Sequence, residues 1–138
     1  MRTYLAGGFR SGRQDTVIRE VAGLLYIDPR TSHLTDVNAY TAWDCAALDQ
    51  SEMLFAYAES DNPGAWNLAF EIGYARAKGI PIIYVDARSP VDAVFERYSG
   101  MLRSSALTCV ATLEEGIAVL VAFRNLRCPP LTWSEGKQ

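Results

Sequence analysis

Glu71 is the side chain whose place in the sequence points most directly to chemistry. Leu68 lies three residues before it and Ala75 four after it, so a helix here puts all three on one stripe. A carboxylate on an apolar stripe faces packed groups rather than water, which is costly unless the charge has a partner or a use. Two interpretations follow: a catalytic carboxylate, or a structural glutamate hydrogen-bonded to a neighbouring loop.

A glycine-containing loop near the N-terminus has the groups that bind an anion. Glycines, a hydroxyl, two guanidinium groups and a following helix N-terminus can together cradle a phosphate. The loop lacks the Gly-Lys-Ser/Thr of a Walker loop and the glycine spacing of a dinucleotide fingerprint. The same residues also suit a strand-to-helix turn with exposed arginines. The loop consists of Gly7, Gly8, Phe9, Arg10, Ser11, Gly12, Arg13 and Gln14.

Strands and helices alternate along the chain. Apolar runs predict strands at residues 3–6, 26–27, 53–58, 80–85 and 108–110. Helical spacing predicts one helix through Val17, Ile18, Val21, Leu24 and Leu25, and others over residues 39–48, 62–79, 91–102 and 113–123.

Asn62 is the predicted N-cap of the helix that carries Glu71, with Pro63 at its first position and Gly79 at its end. The alternation predicts an α/β fold, a single doubly wound, mostly parallel five-stranded sheet of flavodoxin or Rossmann-like type with helices on both faces. Ligands of such sheets bind beyond the C-terminal ends of the strands. The glycine loop and the segment around Asn62 would both lie there.

Composition limits the other possibilities. The 138 residues, 49% hydrophobic and 21% charged, predict one globular domain over residues 1–123 and a tail over residues 124–138. A net charge of -3 argues against binding to a nucleic-acid polymer. No apolar run is long enough for a bilayer, and the N-terminus does not resemble a signal peptide, so we expect no membrane partner.

Cysteine and histidine usage argues against a metal site. The three cysteines, Cys45, Cys109 and Cys128, lack metal-ligand spacing, and His33 is the only histidine. We therefore expect no metal and no cofactor. The odd number of cysteines is typical of reduced thiols in a cytoplasmic protein.

Three segments, taken in order, resemble the nucleoside 2-deoxyribosyltransferase superfamily, which includes the 2'-deoxynucleoside 5'-monophosphate N-hydrolases. The resemblance runs from Tyr4 to about Leu120. It is carried by Tyr4-Leu5-Ala6-Gly7-Gly8-Phe9 with Arg13-Gln14, by Asp44-Cys45-Ala46-Ala47-Leu48 with Ser51-Glu52-Met53-Leu54-Phe55-Ala56-Tyr57, and by Phe70-Glu71-Ile72-Gly73-Tyr74-Ala75 with Gly79-Ile80-Pro81-Ile82-Ile83.

The resemblance implies a role for each matched residue. Glu71 would be the nucleophile that attacks the anomeric carbon and holds the sugar covalently. Asp44 would help to bind the base and support its departure, and Tyr4 and Gly8 would line the sugar side of the first loop. Such a nucleophile must be ionised at neutral pH, which the N-terminal half of a helix or the amide of Asn67 would favour.

The loop before Glu71 departs from the family pattern. Many relatives carry an Asp with Gly-Thr or a similar pair shortly before the nucleophile, where this chain reads Asp61-Asn62-Pro63-Gly64-Ala65-Trp66-Asn67. Asp61, Asn62 or Asn67 could bind the base, with Gly64 beside them. Trp66 either stacks on a base or packs on the sheet as a loop anchor.

Two details resemble the hydrolases. Residues 8–13 resemble their arginine-containing 5'-phosphate loop, and Ser99 and Met101 lie in a segment resembling one that reaches the neighbouring subunit's site. Arg13-Gln14 also resembles the transferases, whose acceptor is a second base, so both acceptors stay open. The expected partners are a nucleoside or nucleotide, a free base in the transfer reaction, and further copies of the chain in a homodimer or larger even homo-oligomer.

Other classes fit the residues less well. A non-catalytic nucleotide-binding module would use the same loop, with Glu71 only hydrogen-bonding a ribose. A phospho-receiver domain needs paired acids after the first strand, where this chain has Gly7 and Gly8. A flavin site needs a Ser/Thr-rich phosphate loop, which is missing here.

Overall fold

Five strands alternate with helices in the computed structural model, which describes residues 1–62 and 64–127. The strands are β1 (Arg2–Gly7), β2 (Leu25–Ile27), β3 (Met53–Ala58), β4 (Ile82–Asp86) and β5 (Thr108–Val110). The α-helices are α1 (Arg13–Glu20), α2 (Val37–Asp49), α3 (Trp66–Ala77), α4 (Ala93–Tyr98), α5 (Gly100–Ser105) and α6 (Leu113–Arg127). Short 3₁₀ helices lie at Pro29–Ser32 and Ser89–Val91.

The strands form one parallel sheet in the order β2-β1-β3-β4-β5. The chain runs outward from β1 to β2, then crosses to β3 on the other side of β1. This switch in strand order opens a crevice beyond the C-terminal ends of β1 and β3. The predicted α/β fold is confirmed, and every pairing among the described strands is parallel.

Helices cover both faces of the sheet, because the inner strands are apolar on both sides. On one face, α1 and α6 pack on alternate residues of the strands, such as Phe55 and Val85. On the other face, α2 and α3 pack on the intervening residues, such as Tyr4, Leu54 and Tyr84. Tyr4 and Leu54 are paired across β1 and β3 and have no exposed surface.

Some predicted helix boundaries are wrong. The helix predicted through Leu24 and Leu25 ends at Glu20. Gly23 takes a left-handed conformation (φ 85°), and Leu25 belongs to β2, where it pairs with Arg2 of β1. The segment predicted as one helix at residues 91–102 is a 3₁₀ turn followed by α4 and α5. Asp92 caps α4 by accepting a hydrogen bond from the backbone N–H of Phe95 at 2.9 Å.

The chain end differs from its prediction as well. Helix α6 continues past residue 123 to Arg127. Because residues 128–138 lie outside the described part, the division into a domain and a tail stays a prediction. Between residues 1 and 127, residue 63 excepted, no helix is both long and apolar enough to cross a membrane.

The start of α3 is also corrected. Asn62 does not cap this helix: its side-chain oxygen accepts from the backbone N–H of Gly64 at 3.0 Å, which closes a local turn. The helix begins at Trp66, and Ala65 at the capping position offers no side-chain hydrogen bond. Pro63 lies outside the described residues. The predicted stop is confirmed, since Gly79 is left-handed at φ 71° just past the helix.

Two helical glycines allow a matched test of the packing of α6 on the sheet. A Cβ on Gly116 would lie 2.4 Å from Cγ2 of Val85, whereas a Cβ on Gly73 would meet nothing within 4 Å. We expect Gly116→Ala to lower the free energy of unfolding by about 1–3 kcal/mol through overpacking. Gly73→Ala should raise it by about 0.5–1 kcal/mol through helix propensity. Urea denaturation of both variants checks this, and equal effects of the two substitutions would contradict the packing described.

Candidate active site

A cavity of about 500 Å³ opens beyond the C-terminal ends of β1 and β3. Its walls come from the first glycine turn, the end of β3, helix α2 and the N-terminal part of α3. The lining residues are Gly7, Gly8, Phe9, Pro29, Ser32, Leu34, Tyr40, Asp44, Tyr57, Ala58, Glu59, Asn62, Gly64, Ala65, Trp66, Asn67, Leu68 and Glu71.

Glu71 reaches this cavity from the buried stripe of α3. Its side chain is 6% exposed, and Leu68 and Ala75 on the same stripe are also buried, as the spacing predicted. The hydroxyl of Tyr4 on β1 donates a hydrogen bond to Oε1 of Glu71 at 3.1 Å. The packing of α3 on the sheet therefore brings the carboxylate to the tyrosine across 67 residues of sequence.

The electrostatics of Glu71 oppose the ionised state that a nucleophile needs. Burial, assisted by the charge of Asp44, raises the pKa of Glu71 to about 8, although the Tyr4 hydrogen bond and Arg13 lower it. Burial therefore favours the protonated form of Glu71. Loss of hydration outweighs the favourable groups around it.

Asp44 completes a small polar group with Tyr4 and Glu71. It projects from α2, is half-buried and lines the cavity. Burial raises the pKa of Asp44, and a hydrogen bond from Tyr4 partly offsets this. The pKa of Tyr4 is itself raised by burial and by the two carboxylates, so the tyrosine stays a donor at neutral pH.

The first turn is built around close backbone contact. A Cβ on Gly7 would lie 2.1 Å from the carbonyl oxygen of Tyr57, and one on Gly8 would lie 2.4 Å from Nδ2 of Asn62. Gly7, with φ 118°, is therefore required for the turn to lie against the end of β3, whereas a side chain at Gly8 would displace the side chains of Asn62 and Glu59. Gly12 is left-handed at φ 64° before α1. These contacts explain the glycines without a bound phosphate.

The two arginines of the turn lie outside the cavity lining. Arg13 is 1% exposed, donates to the carbonyl oxygen of Ala6 and lies over the ring of Tyr57 at 5.3 Å. Burial lowers the pKa of Arg13 to about 10. Arg10 is exposed and donates to the carbonyl oxygen of Asp61 at 3.3 Å, and Ser11 is exposed beside it. Phosphate binding by this loop stays a prediction.

The segment before α3 lines the cavity as predicted. Asn62, Gly64 and Asn67 all contribute to its wall. Trp66 is 86% exposed at the rim, so the interpretation of Trp66 as an anchor packed on the sheet is wrong. Stacking of Trp66 on a base stays a prediction.

The predicted inter-subunit residues lie away from this cavity. Ser99 is buried, and its hydroxyl accepts a hydrogen bond from Nη1 of Arg103 at 2.9 Å. Met101 is 83% exposed on α5. Their contribution to a neighbouring subunit's site stays a prediction.

No protein-family model matches the sequence, and no curated protein matches it. Solved structures do. A conserved protein from Enterococcus faecalis V583 superposes with a TM-score of 0.67 at 19% identity, covering 90% of this chain and 98% of that chain. Clostridium botulinum CMP N-glycosidase BcmB superposes with a TM-score of 0.59 at 18% identity, covering 89% and 99% of the two chains. The chain shares its fold with a CMP N-glycosidase. These two structures confirm the α/β fold that the sequence predicted.

Sequence reasoning missed one carboxylate of the cavity. Glu59 directly follows β3, is 4% exposed and lines the wall beside Gly8. A signal for it was present, because the first charged residue after a buried parallel strand lies at the edge where ligands bind. Within the described ranges, no group of three or more histidine, cysteine or acidic side chains is placed to hold a metal ion.

The raised pKa of Glu71 predicts a pH-dependent difference in stability. The folded protein keeps this proton up to about pH 8, whereas the unfolded chain loses it near the ordinary value of 4.5. The free energy of unfolding of the wild type, measured relative to that of Glu71→Gln, should therefore be highest below pH 4.5. This difference should fall by up to about 1.4 kcal/mol per pH unit between pH 4.5 and 8.

Urea denaturation at several pH values measures this difference. Tyr4→Phe removes the donor to Glu71 and should extend the fall to higher pH. Glu20→Gln, at an exposed position of α1, controls for the loss of one acidic charge. A wild-type to Glu71→Gln difference that stays constant from pH 4.5 to 8 would contradict the raised pKa.

Proposed function

We propose that this protein is an enzyme that cleaves the N-glycosidic bond of a (2'-deoxy)nucleoside or its 5'-monophosphate and passes the sugar to another base or to water. The observation that carries the proposal is the buried carboxyl group of Glu71, which meets both the Tyr4 hydroxyl and the cavity. The structural likeness to a CMP N-glycosidase supports this class of reaction.

In the first step, an oxygen of Glu71 forms a bond to C1' as the bond from C1' to the base nitrogen breaks. The electron pair of that bond leaves with the base. The transition state resembles an oxocarbenium ion, and the neighbouring carboxylate stabilises its positive charge. Since Tyr4 bonds Oε1 of Glu71, it orients the carboxylate while Oε2 remains for the attack.

The leaving base needs a proton or a strong hydrogen bond, and Asp44 is the group that would supply it. Asp44 and Glu71 interact electrostatically, and both pKa values are raised, so the pair retains a proton at neutral pH. The proton of the pair would move to Asp44, so that Glu71 attacks in its ionised form while Asp44 gives this proton to the base. In the second step, water or a second base attacks C1' and passes a proton to Asp44, while the bond from C1' to Glu71 breaks and releases the Glu71 carboxylate.

Two alternatives make different predictions. A hydrolase that acts strictly on 5'-monophosphates is favoured by the likeness to a CMP N-glycosidase. A non-catalytic nucleotide-binding module would use the same cavity, with Glu71 only hydrogen-bonding the sugar. The raised pKa of a cavity carboxylate is more typical of a catalytic site than of a binding module.

A homodimer or larger even homo-oligomer is part of the proposal. Apolar side chains on α4 and α5, with Val94 69% and Met101 83% exposed, offer a surface for a second copy.

Product analysis tests the proposed reaction. The protein is incubated with each 2'-deoxynucleoside and each 5'-monophosphate, with and without a second free base, and the products are separated by chromatography. Free base released without an acceptor indicates hydrolysis, and a new nucleoside indicates transfer. We expect Glu71→Gln to reduce the rate at least about a hundredfold, because it removes the nucleophile.

Two matched substitutions on α2, Asp44→Asn and Asp49→Asn, separate an effect on the reaction from an effect on folding. Asp44→Asn should also slow the reaction, whereas Asp49→Asn should not, because Asp49 is bound to Tyr74 and Lys78 away from the cavity. Near-normal turnover by Glu71→Gln would overturn the mechanism. Nucleotide binding without turnover by the wild type would favour the binding module.

A further inference from the structure

Glu59 is the one cavity carboxylate to which the proposed mechanism gives no role. It follows β3 directly, is 4% exposed and lines the cavity wall. It lies against the first turn, since a Cβ on Gly8 would come within 2.7 Å of Oε1 of Glu59. The carboxylate of Glu59 therefore packs against the backbone of Gly8 in the wall of the cavity, and both of its oxygens are buried.

Neither oxygen of Glu59 has a hydrogen-bond partner in the described part of the chain. Glu59 interacts electrostatically with Arg13, since its charge raises the pKa of Arg13 whereas burial lowers it. No hydrogen bond joins them, and Nε and Nη1 of Arg13 are also without partners among the described residues. Burying a carboxylate without hydrogen-bond donors costs free energy unless a ligand supplies those donors.

Asp86 on the neighbouring strand shows how a structural acid is held at this edge. It pairs with Ala58 in the sheet and is 3% exposed, close to the burial of Glu59. Ser89 donates two hydrogen bonds to it, and Arg103 forms an ion pair with it at 3.3 Å. Glu59 has none of these hydrogen bonds, and the charged group that it interacts with is the buried Arg13.

The chemistry of a carboxylate defines what it can bind. An ionised carboxylate only accepts hydrogen bonds, so its ligand must donate. A sugar hydroxyl donates, whereas a phosphate dianion does not and is repelled. The described lining contains the carboxyl groups of Asp44, Glu59 and Glu71 and no lysine or arginine side chain. The cavity therefore favours an uncharged, hydroxyl-bearing group near Glu59.

We propose that Glu59 accepts hydrogen bonds from the sugar hydroxyl groups of the substrate and selects nucleosides over nucleoside 5'-monophosphates. This inference rests on the proposed function for the placement of the sugar. In the proposed mechanism Asp44 contacts the base and Glu71 contacts C1', and these two carboxyl groups interact with each other. Glu59 instead interacts with Arg13 beneath the first turn. The sugar atoms beyond C1' then face Glu59.

Binding to a slowed enzyme tests the selection directly. Calorimetric titrations of Glu71→Gln compare a 2'-deoxynucleoside with its 5'-monophosphate, and are repeated with Glu71→Gln/Glu59→Gln. We expect Glu71→Gln to bind the nucleoside at least about tenfold more tightly than the monophosphate. Adding Glu59→Gln should weaken nucleoside binding about tenfold, the effect of losing a hydrogen bond to a charged group. It should also strengthen monophosphate binding.

Two outcomes of these titrations overturn the inference. One is an unchanged preference when Glu59→Gln is added, and the other is a preference of Glu71→Gln for the monophosphate. In the second case Arg10→Ala should weaken monophosphate binding, which would return the phosphate role to the glycine loop. Glu20→Gln controls for the removal of one acidic charge at an exposed site.

Substrate analogues distinguish the two possible donors, a sugar hydroxyl and an amino group of the base. Removing the 3'- or the 5'-hydroxyl should weaken binding to Glu71→Gln, and this loss should largely disappear when Glu59→Gln is added. A nucleoside whose base lacks the amino group should still lose affinity on Glu59→Gln. If that loss appears only with amino-bearing bases, the sugar assignment is wrong.

Failure of the two proposals can be told apart. Turnover that depends on Glu71, with a preference for nucleosides over 5'-monophosphates that Glu59→Gln does not change, would contradict only the role of Glu59. Selective nucleoside binding that depends on Glu59, without turnover by the wild type, would contradict only the catalytic proposal. Binding of neither ligand by the folded wild type would contradict both. If Glu59→Gln does not fold, as judged by thermal denaturation, Glu59→Ala is titrated instead and the same loss of preference is expected.

Discussion

The hydrogen bond from Tyr4 to the buried carboxyl group of Glu71 is the interaction on which the site depends. Tyr4 is fixed by β1, where it is paired with Leu54 and has no exposed surface. Glu71 is fixed by α3, whose neighbouring residues Leu68 and Ile72 pack on the same face of the sheet. Because both partners belong to rigid elements, their geometry is set before any ligand arrives, which is the condition for effective positioning in catalysis.

This arrangement has an energetic cost that the core must offset. Keeping an acid at 6% exposure shifts its pKa toward 8, so the ionised form that would attack a sugar is disfavoured. Glu59 adds a second buried acid without a hydrogen-bond partner in the described residues. At the same edge, Asp86 is held by Ser89 and Arg103. Of the described residues with buried polar atoms that lack a partner, Glu59 lines the cavity, whereas Thr3, Arg13, Gln14 and Tyr84 do not.

The sequence predicted what depends on local periodicity. The apolar run of β3 gave its bounds correctly, and the stripe through Leu68, Glu71 and Ala75 placed the carboxylate on the buried face. Features set by contacts between distant segments were missed. The turn at Asn62, the end of α1 and the partners of Arg13 depend on how loops lie on the sheet. The protonation of Glu71 depends on desolvation by elements far away in sequence, which no local pattern reports.

The central claim is that Glu71 carries the sugar during the reaction. Incubation with a nucleoside bearing fluorine at C2' tests this most directly, because fluorine destabilises the oxocarbenium-like transition state and slows both steps. Intact-mass spectrometry is expected to show a gain in mass equal to one fluorinated sugar residue, and peptide mapping is expected to place that mass on Glu71. Turnover with the sugar attached to a different residue, or rapid turnover of the natural nucleoside by Glu71→Gln, would contradict it.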